Sequence, residues 1–309
     1  MSYKSDTETG ARITGVGFST MAGSPDMAAL PAILATAEQL GADVVELSLW
    51  DEDIVSGSTI MPDRLKRLKD IMGKHALRYT VHGPLYLNFM DARDPDRHKS
   101  LCRAFLELCG EIGVKTMVMH TGFLPHKEPG LLQDSYARQR DALHEMGDVA
   151  HACDVILCVE NVFAYTEDQH TASPAKLAGE IMAIDHPNIA ATLDFGHAAI
   201  QCTIDQLDYV SECRAMAPQV HHLHVHDNWG LPDFGILAQD AEAAAFGYGD
   251  LHMPVGWGDM KWDDVLPGLV LMEDSILMLE LLPRYFHALE DSLSKARHFA
   301  TLINGEGPP

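Results

Sequence analysis

The amino-acid sequence predicts an α/β protein, a single (β/α)8 TIM barrel domain that occupies residues 1–309. The first observation behind this prediction is that short apolar, β-branched runs alternate with amphipathic segments along the whole chain. The second is that eight such pairs occur. A closed barrel of this class contains eight strand–helix units in about 250 to 300 residues. The third is that the runs are almost continuously apolar, which is typical of parallel strands buried on both faces.

The predicted strands and helices alternate from one end of the chain to the other. The strands are Ile13–Phe18, Val44–Leu49, Tyr79–His82, Thr116–His120, Val155–Glu160, Ile189–Asp194, Val220–His226 and Ile276–Leu281. The helices are Met27–Leu40, Asp63–His75, His98–Ile112, Gln133–Ala152, Leu177–Ile184, Ile204–Ala215, Trp262–Leu269 and Phe286–Ile303. A doubly wound open sheet is the alternative, but it requires a glycine-rich phosphate loop after the first strand. Gly15-Val16-Gly17 matches that motif poorly.

One connection is much longer than the others. Residues 227–261 separate the seventh strand from the helix that follows it. Because the loops that follow the strands of such a barrel surround its active-site mouth, we expect this segment to be a long loop over that mouth.

Composition and charge narrow the classes of function. The chain has 47% hydrophobic residues, enough for a large core, and its 22 Lys+Arg against 45 Asp+Glu give a net charge of -23. Because Lys and Arg supply most of the affinity for nucleic acids, we expect a small-molecule substrate and no nucleic-acid partner. A signal peptide and an apolar membrane span are both missing from the pattern. We therefore expect no membrane association, a cytoplasmic location and reduced cysteines, and a homo-oligomer is compatible with the sequence.

Polar residues end six successive predicted strands, from the third to the eighth. They are His82, His120, Glu160, Asp194, His224 and Glu280. The carboxyl ends of barrel strands meet at one rim, so these side chains are expected to converge. Buried charges of this kind are costly unless they are compensated, and a divalent cation is the natural compensation. A nitrogen and oxygen ligand set without thiolate suits Zn²⁺ or Mn²⁺, and its size suits one to three ions.

The motifs at these strand ends resemble those of the xylose isomerase-like barrel superfamily. In order they read H-G-P, H-T-G, E-N, D-F-G-H, H-V-H-D and E-L. That superfamily includes sugar isomerases, sugar epimerases and zinc-dependent abasic-site endonucleases. The resemblance extends from about Arg12 to Ile303. In the long loop, residues 250–258 read D-L-H-M-P-V-G-W-G and are similar to the D-x-H-x-x-x-G-x-G segment of the endonuclease branch.

The resemblance implies three groups of metal ligands. The central metal would be held by Glu160, Asp194, His224 and Glu280. A second would be held by His82 and His120, with Glu160 bridging the two ions. A third would be held by His197, Asp250 and His252. As a set these positions predict metal binding, although members of the superfamily with different reactions share most of them.

Four further residues are predicted to bind the substrate. Glu46 on the second strand is placed to hold a substrate hydroxyl, with a buried, hydrogen-bonded carboxylate as the equal alternative. His226 lies on the same strand face as His224, because side chains two residues apart share a face. Trp229 and Trp257 in the long loop can present a ring face to a sugar, with ordinary packing as the alternative.

Two enzyme functions fit these residues. The first is an isomerase or epimerase that acts on a small sugar, polyol or sugar phosphate by metal-assisted proton transfer, with Glu160 and Glu280 as the catalytic carboxylates. The second is a trinuclear zinc phosphoester hydrolase with a small, non-DNA substrate, which the complete third ligand group favours. A non-catalytic metal- or sugar-binding module is the weakest alternative, because spare carboxylates around a metal are what catalysis requires. We expect the isomerase or epimerase.

Overall fold

The computed structural model describes residues 12–305, and eight parallel strands in these residues form a closed barrel. This confirms the predicted (β/α)8 fold. Each strand pairs with the next one along the chain, and the last pairs with the first. The strands are β1 (Ile13–Ser19), β2 (Val44–Ser48), β3 (Arg78–His82), β4 (Thr116–His120), β5 (Ile156–Glu160), β6 (Ile189–Asp194), β7 (Val220–Val225) and β8 (Ser275–Leu279).

Helices connect the strands. They are α1 (Leu30–Gln39), α2 (Pro62–Met72), α3 (Pro95–Ile112), α4 (Pro129–Ala152), α5 (Pro174–Ile184), α6 (Phe195–Asp205), α7 (Tyr209–Met216), α8 (Asp240–Phe246), α9 (Trp262–Val265) and α10 (Leu289–Ile303). The 3₁₀ helices are Pro25–Met27, Leu49–Asp51, Ala217–Gln219 and Pro283–Ala288. Two antiparallel strand pairs join Val55–Ser56 to Thr59–Ile60 and Phe123–Leu124 to His170–Thr171. Within residues 12–305, no helix has both the length and the apolar composition needed to cross a bilayer.

The helical region after β6 differs from the prediction. The sequence predicts one helix there, but the structure has α6 directly after the strand and then α7. Helix α6 begins early because the Asp194 carboxylate accepts a hydrogen bond from the His197 backbone N–H, at 2.6 Å, and so caps its first turn. The helix ends at Asp205, because the next residue, Gln206, has a left-handed φ of 56°. The Asp208 side chain then caps α7. The cap places His197 in the first turn of a helix, beside the strand ends.

Apolar side chains fill the barrel beneath the polar strand ends. Side chains two residues apart in a strand share a face, so Val118 lies below His120, and Cys158 lies below Glu160. Two buried apolar clusters occupy this level: Val118, Cys158 and Ala190, and Val44, Ile276 and Met278. The larger apolar core includes residues from the strands and the surrounding helices. The polar strand ends therefore lie at one end of the barrel interior, and Glu46, Thr80 and His222 are buried polar residues just below them.

The long loop over residues 227–261 is held in place by its own hydrogen bonds. Its first residue, Asp227, forms an antiparallel bridge with Met253. The Asp227 carboxylate is buried and accepts hydrogen bonds from the backbone N–H groups of Gly256, at 2.6 Å, and Met260, at 3.3 Å. A Cβ at Gly258 would lie 2.2 Å from the Asn228 carbonyl oxygen, so only glycine fits there. These contacts fold the loop back on itself.

We predict that Asp227→Ala loosens this loop and lowers the free energy of unfolding by about 2 kcal/mol, because two backbone donors lose a charged acceptor. The matched control is Asp233→Ala. Asp233 accepts from the N–H groups of Ile236 and Leu237 in an exposed part of the same loop. Denaturant unfolding and limited proteolysis measure the effect. The prediction is wrong if Asp227→Ala unfolds like wild type, or if both variants lose the same stability.

Candidate metal centre

The nine predicted metal ligands lie at the same end of the barrel. Six are at or next to the ends of strands β3 to β8: His82, His120, Glu160, Asp194, His224 and Glu280. The other three arrive from elsewhere, His197 from the first turn of α6, and Asp250 and His252 from the long loop. The residues that are distant in sequence therefore converge as the sequence predicts.

The central group contains Glu160, Asp194, His224 and Glu280. One donor atom from each lies within 4.8 Å of the others. The Nδ1 atom of His224 is 3.0 Å from Glu160 Oε1, 3.5 Å from Glu280 Oε2 and 3.8 Å from Asp194 Oδ2. Three carboxylates thus surround one ring nitrogen. This arrangement matches the ligand set that the resemblance implies for the central metal.

The second group shares Glu160 with the central group. The Oε2 atom of Glu160 lies 3.2 Å from His82 Nε2 and 3.5 Å from His120 Nε2, whereas the Oε1 atom of Glu160 faces His224. The two oxygens of one carboxylate therefore point to two different sets of histidines. This is the position that a bridging carboxylate requires.

The third group has one more member than the sequence predicts. Asp250 Oδ2 lies 3.0 Å from His197 Nε2 and 2.8 Å from His252 Nε2. His226, predicted to contact substrate, joins these three residues, with its Nε2 atom 3.6 Å from Asp250 Oδ1. The His226 ring lies over Gly196, where a Cβ would be 2.2 Å from the ring Cε1 atom. The glycine of the D-F-G-H motif therefore makes room for His226.

The carboxylates of the site are balanced by histidines alone. Within residues 12–305, each ion pair of Glu160, Asp194, Asp250 and Glu280 is with a histidine. Burial by itself raises the pKa of Glu160, but the neighbouring histidines, first of all His224, hold it well below its usual value. At Asp250, burial likewise raises the pKa, but His252 and His197 hold it well below its usual value. Glu160 and Asp250 are therefore ionised.

The pKa values of the histidines are raised or lowered according to the carboxylates beside them. Burial by itself lowers the pKa of His82, yet Glu160 raises it to about 9. Burial by itself also lowers the pKa of His252, but the neighbouring carboxylates, first of all Asp250, raise it to about 9. At His120 burial prevails and lowers the pKa to about 4, because Glu160 compensates less there. At neutral pH, His82 and His252 carry protons that balance the buried carboxylates.

Backbone carbonyl groups orient three of the predicted ligand rings. His82 Nδ1 donates to the Gly83 carbonyl oxygen at 2.9 Å, and His197 Nδ1 to that of Asn161 at 3.0 Å. His252 Nδ1 donates to the Glu280 carbonyl oxygen at 2.7 Å. In each ring the Nε2 atom is left to face a carboxylate of the site. Such outer hydrogen bonds are how proteins fix the tautomer of a metal-binding histidine.

The residues fit a divalent cation. The donors are imidazole nitrogens and carboxylate oxygens, the set that suits zinc or manganese. Asp250 Oδ1 is buried and has no hydrogen-bond partner within residues 12–305, so one negative oxygen is left without a donor. A bound cation would take over the charge balance that protons on His82 and His252 otherwise provide.

The remaining predicted substrate residues have other contacts. Glu46 is buried below His224 and contacts strands β3 and β7, which favours the hydrogen-bonded carboxylate over a substrate contact. Trp229 packs against Gly247, and Trp257 packs against Tyr285 with ring centroids 5.7 Å apart. Both tryptophans are about half exposed, at 46% and 50%. A role for them in substrate binding remains a prediction.

Two aromatic residues near the site were missed by the sequence analysis. The Phe163 ring lies 5.3 Å from the His197 ring, centroid to centroid, and 4.7 Å from the Tyr165 ring. Burial raises the pKa of Tyr165 to about 12. The signal was present in the sequence, because V-F-A-Y directly follows the Glu160-Asn161 strand end. These rings form an apolar wall beside the third group.

Comparisons with known proteins agree with this fold. The family model described as xylose isomerase-like TIM barrel matches residues 34–301. Curated protein sequences give no significant match. A D-tagatose 3-epimerase-like protein has a TM-score of 0.69 at 18% identity, covering 94% of this chain and 98% of that one. The apo 3-keto-D-glucoside 4-epimerase of E. coli has a TM-score of 0.63 at 14% identity, with coverages of 92% and 99%. The IOLI protein with a bound zinc atom has a TM-score of 0.65 at 17% identity, with coverages of 96% and 100%.

We predict that zinc or manganese stabilises the protein and that this stabilisation grows with pH. The pKa values of His82 and His252 are raised from 6.5 to about 9, so their contribution to metal-free stability is complete below pH 6.5 and is lost as pH rises through 9. Metal ligands must be deprotonated, so the ion binds more tightly over the same range. Melting temperatures with and without added metal, measured between pH 6.5 and 9, test this. A metal-induced shift that is absent, or that shrinks as pH rises, would contradict it.

Proposed function

The chain belongs to the xylose isomerase-like TIM barrel family, and on this basis we propose that it is a metal-dependent isomerase or epimerase of a small sugar, polyol or sugar phosphate. The observation that carries this proposal is the pair of glutamates in the central group. Glu160 ends β5, Glu280 follows β8, and the Nδ1 atom of His224 lies 3.0 Å and 3.5 Å from their oxygens. Sugar epimerases among the solved structures with this fold support the same class of reaction.

Glu160 and Glu280 would be the proton-transfer groups. One carboxylate removes the proton from the reacting carbon, the electron pair of the broken C–H bond forms a double bond to the neighbouring carbonyl carbon, and the π electrons of that carbonyl move to its oxygen. The second carboxyl group, in its protonated form, returns a proton to the opposite face of the same carbon while the carbonyl forms again, which inverts the configuration of that carbon. If instead the hydroxyl proton of the reacting carbon moves to that oxygen and the neighbouring carbon receives the proton, the isomer forms.

The other residues of the site would bind and orient. Glu160, Asp194, His224 and Glu280 would hold a divalent ion, whose chemistry is Lewis-acid polarisation of adjacent substrate oxygens. The buried histidines around Glu160 keep that carboxylate ionised, which a base requires. Phe163 and Tyr165 would provide aromatic surface beside the site.

We predict that Glu280→Gln lowers turnover by about a hundredfold or more, because it removes a general acid–base group. His252→Ala should leave turnover within about tenfold of wild type, since His252 belongs to the third group. Glu290→Gln, an exposed change on α10, is the matched control. The assay follows D-tagatose, other ketohexoses and 3-keto sugars in D2O by NMR, where proton transfer places deuterium on the reacting carbon. Wild-type exchange that Glu280→Gln retains would contradict the proposal.

A second candidate function is hydrolysis of a small phosphoester. The third group of His197, Asp250 and His252, with His226 beside it, is the observation that favours it. Proton transfer has no evident use for an ion there, whereas hydrolysis uses additional ions to balance the charge on the phosphate. Under this alternative, His252→Ala would lower turnover of a phosphate ester by about a hundredfold. Metal content measured on the same samples separates the two functions.

We predict that the protein does not bind duplex DNA at moderate salt, because its net charge of -23 repels phosphates. A fluorescence-anisotropy titration with a duplex that contains an abasic site is the direct test. Cleavage of that duplex that depends on metal and disappears in Glu280→Gln would contradict the prediction and favour hydrolysis of nucleic acid.

A further inference from the structure

The two ring nitrogens of His224 face different carboxylates on opposite sides of the ring. Nδ1 faces the central group, at 3.0 Å from Glu160 Oε1. Nε2 faces the barrel interior, at 3.0 Å from Glu46 Oε1. Glu46 lies 178 residues earlier in the chain, on β2. A neutral imidazole carries one proton, so the acceptor on one side determines which nitrogen keeps a free lone pair.

His224 differs in this respect from the other predicted ligand rings. His82, His197 and His252 each donate their rear N–H group to a neutral backbone carbonyl. Behind His224 the acceptor is instead a buried carboxylate. A charged acceptor makes a stronger hydrogen bond than a carbonyl and makes the ring a more basic ligand.

Glu46 is itself held in place by strands β3 and β7. Its Oε2 atom accepts a hydrogen bond from the Thr80 hydroxyl at 3.3 Å, and Thr80 is the residue paired with Glu46 across β2 and β3. The Nε2 atom of His222 lies 3.2 Å from the same oxygen. All four side chains in this layer are fully buried. Burial by itself raises the pKa of Glu46, but His224 and His222 hold it well below its usual value.

We infer that Glu46 is a positioning residue of the metal centre: it accepts the Nε2–H of His224 and so leaves Nδ1, which faces the central group, as the ring atom that would bind an ion. This inference rests on the proposed function, because it assigns Glu46 a role behind one ligand of the proposed site. Glu46 cannot contact a substrate directly, since both of its oxygens face protein groups and its side chain is enclosed.

A separate ion on Glu46, His222 and His224 is the competing explanation for this cluster. Donor atoms of these three residues lie within 4.8 Å of one another. An ion at this position would, however, require an unprotonated Nε2 atom on His224. If Nδ1 also bound an ion in the central group, the ring would have to lose both of its N–H protons. With Glu46 as the acceptor, the ring keeps its Nε2 proton and only Nδ1 has to give up a proton to bind an ion.

Glu46→Gln tests this inference, because the change preserves the size of the side chain and removes its charge. The amide can also donate to His224 Nε2, which would stabilise the wrong tautomer. We expect the tightest equivalent of Zn²⁺ to bind about 10- to 100-fold more weakly than in wild type. The matched control is Glu180→Gln, since Glu180 is also buried, at 5% exposed, but pairs with Arg140 and Lys176 on the outside of the barrel. Its zinc affinity should equal that of wild type.

Zinc affinity is measured by competition with a chelator, and the absorption spectrum of the Co²⁺-loaded protein reports the ligand geometry. The metal-free melting temperature separates stability from affinity, because a merely structural Glu46 would lower it without changing zinc affinity. If Glu46→Gln does not fold, Thr80→Val is used instead. It removes the hydroxyl that holds Glu46, and we expect a loss of at least about threefold in zinc affinity.

The outcomes are distinct. Zinc affinity within about twofold of wild type in Glu46→Gln would overturn the inference. Loss of one whole metal equivalent, with the affinity of the others unchanged, would also overturn it, because Glu46 would then be a ligand of its own ion. Wild-type protein that binds neither Zn²⁺ nor Mn²⁺ would instead overturn the proposed function.

Discussion

Buried negative charge at the carboxyl end of the barrel is the constraint on which the rest of the site depends. Glu46, Glu160, Asp194, Asp250 and Glu280 lie close together, and within residues 12–305 histidines are their only ion-pair partners. Removing a carboxylate from water costs several kcal/mol unless it is paired. Histidine can supply that pairing as a proton carrier or, once deprotonated, can share an ion with the same carboxylates.

The barrel separates this charge from the core in layers. Apolar side chains such as Val118 and Cys158 form the lowest layer. Glu46 and His222 form the next, where His222 Nε2 lies 3.2 Å from Glu46 Oε2 and Glu46 Oε1 lies 3.0 Å from His224 Nε2. The ligand groups lie above them, and the long loop adds Asp250 and His252 from the top. Each layer fixes the one above it, so few of the polar groups depend on solvent for their position.

The central group and the third group differ in the reactions that they favour. In the central group, Glu160 and Glu280 both lie near the Nδ1 atom of His224. Two carboxylates in this position suit proton transfer at a carbon as well as activation of water. The third group, with His226 included, contains three histidines and one carboxylate, and four such donors are the number that a tetrahedral zinc ion uses. The Nε2 atom of His226 also lies 3.2 Å from Asp194 Oδ2, so this histidine connects the third group to the central one.

The sequence by itself determined the barrel and the rim, because both follow from local patterns. Continuous apolar runs specify buried parallel strands, and a polar residue at the end of such a run must lie at the carboxyl rim, as His82, Glu160 and Asp194 do. Only the tertiary structure decided which side chains meet across the barrel. The contact between Glu46 and His224 joins residues 178 positions apart, and no spacing rule links β2 to β7. The place of His226 beside Asp250 likewise depends on how the long loop folds back, which long-range hydrogen bonds at Asp227 decide and local periodicity does not.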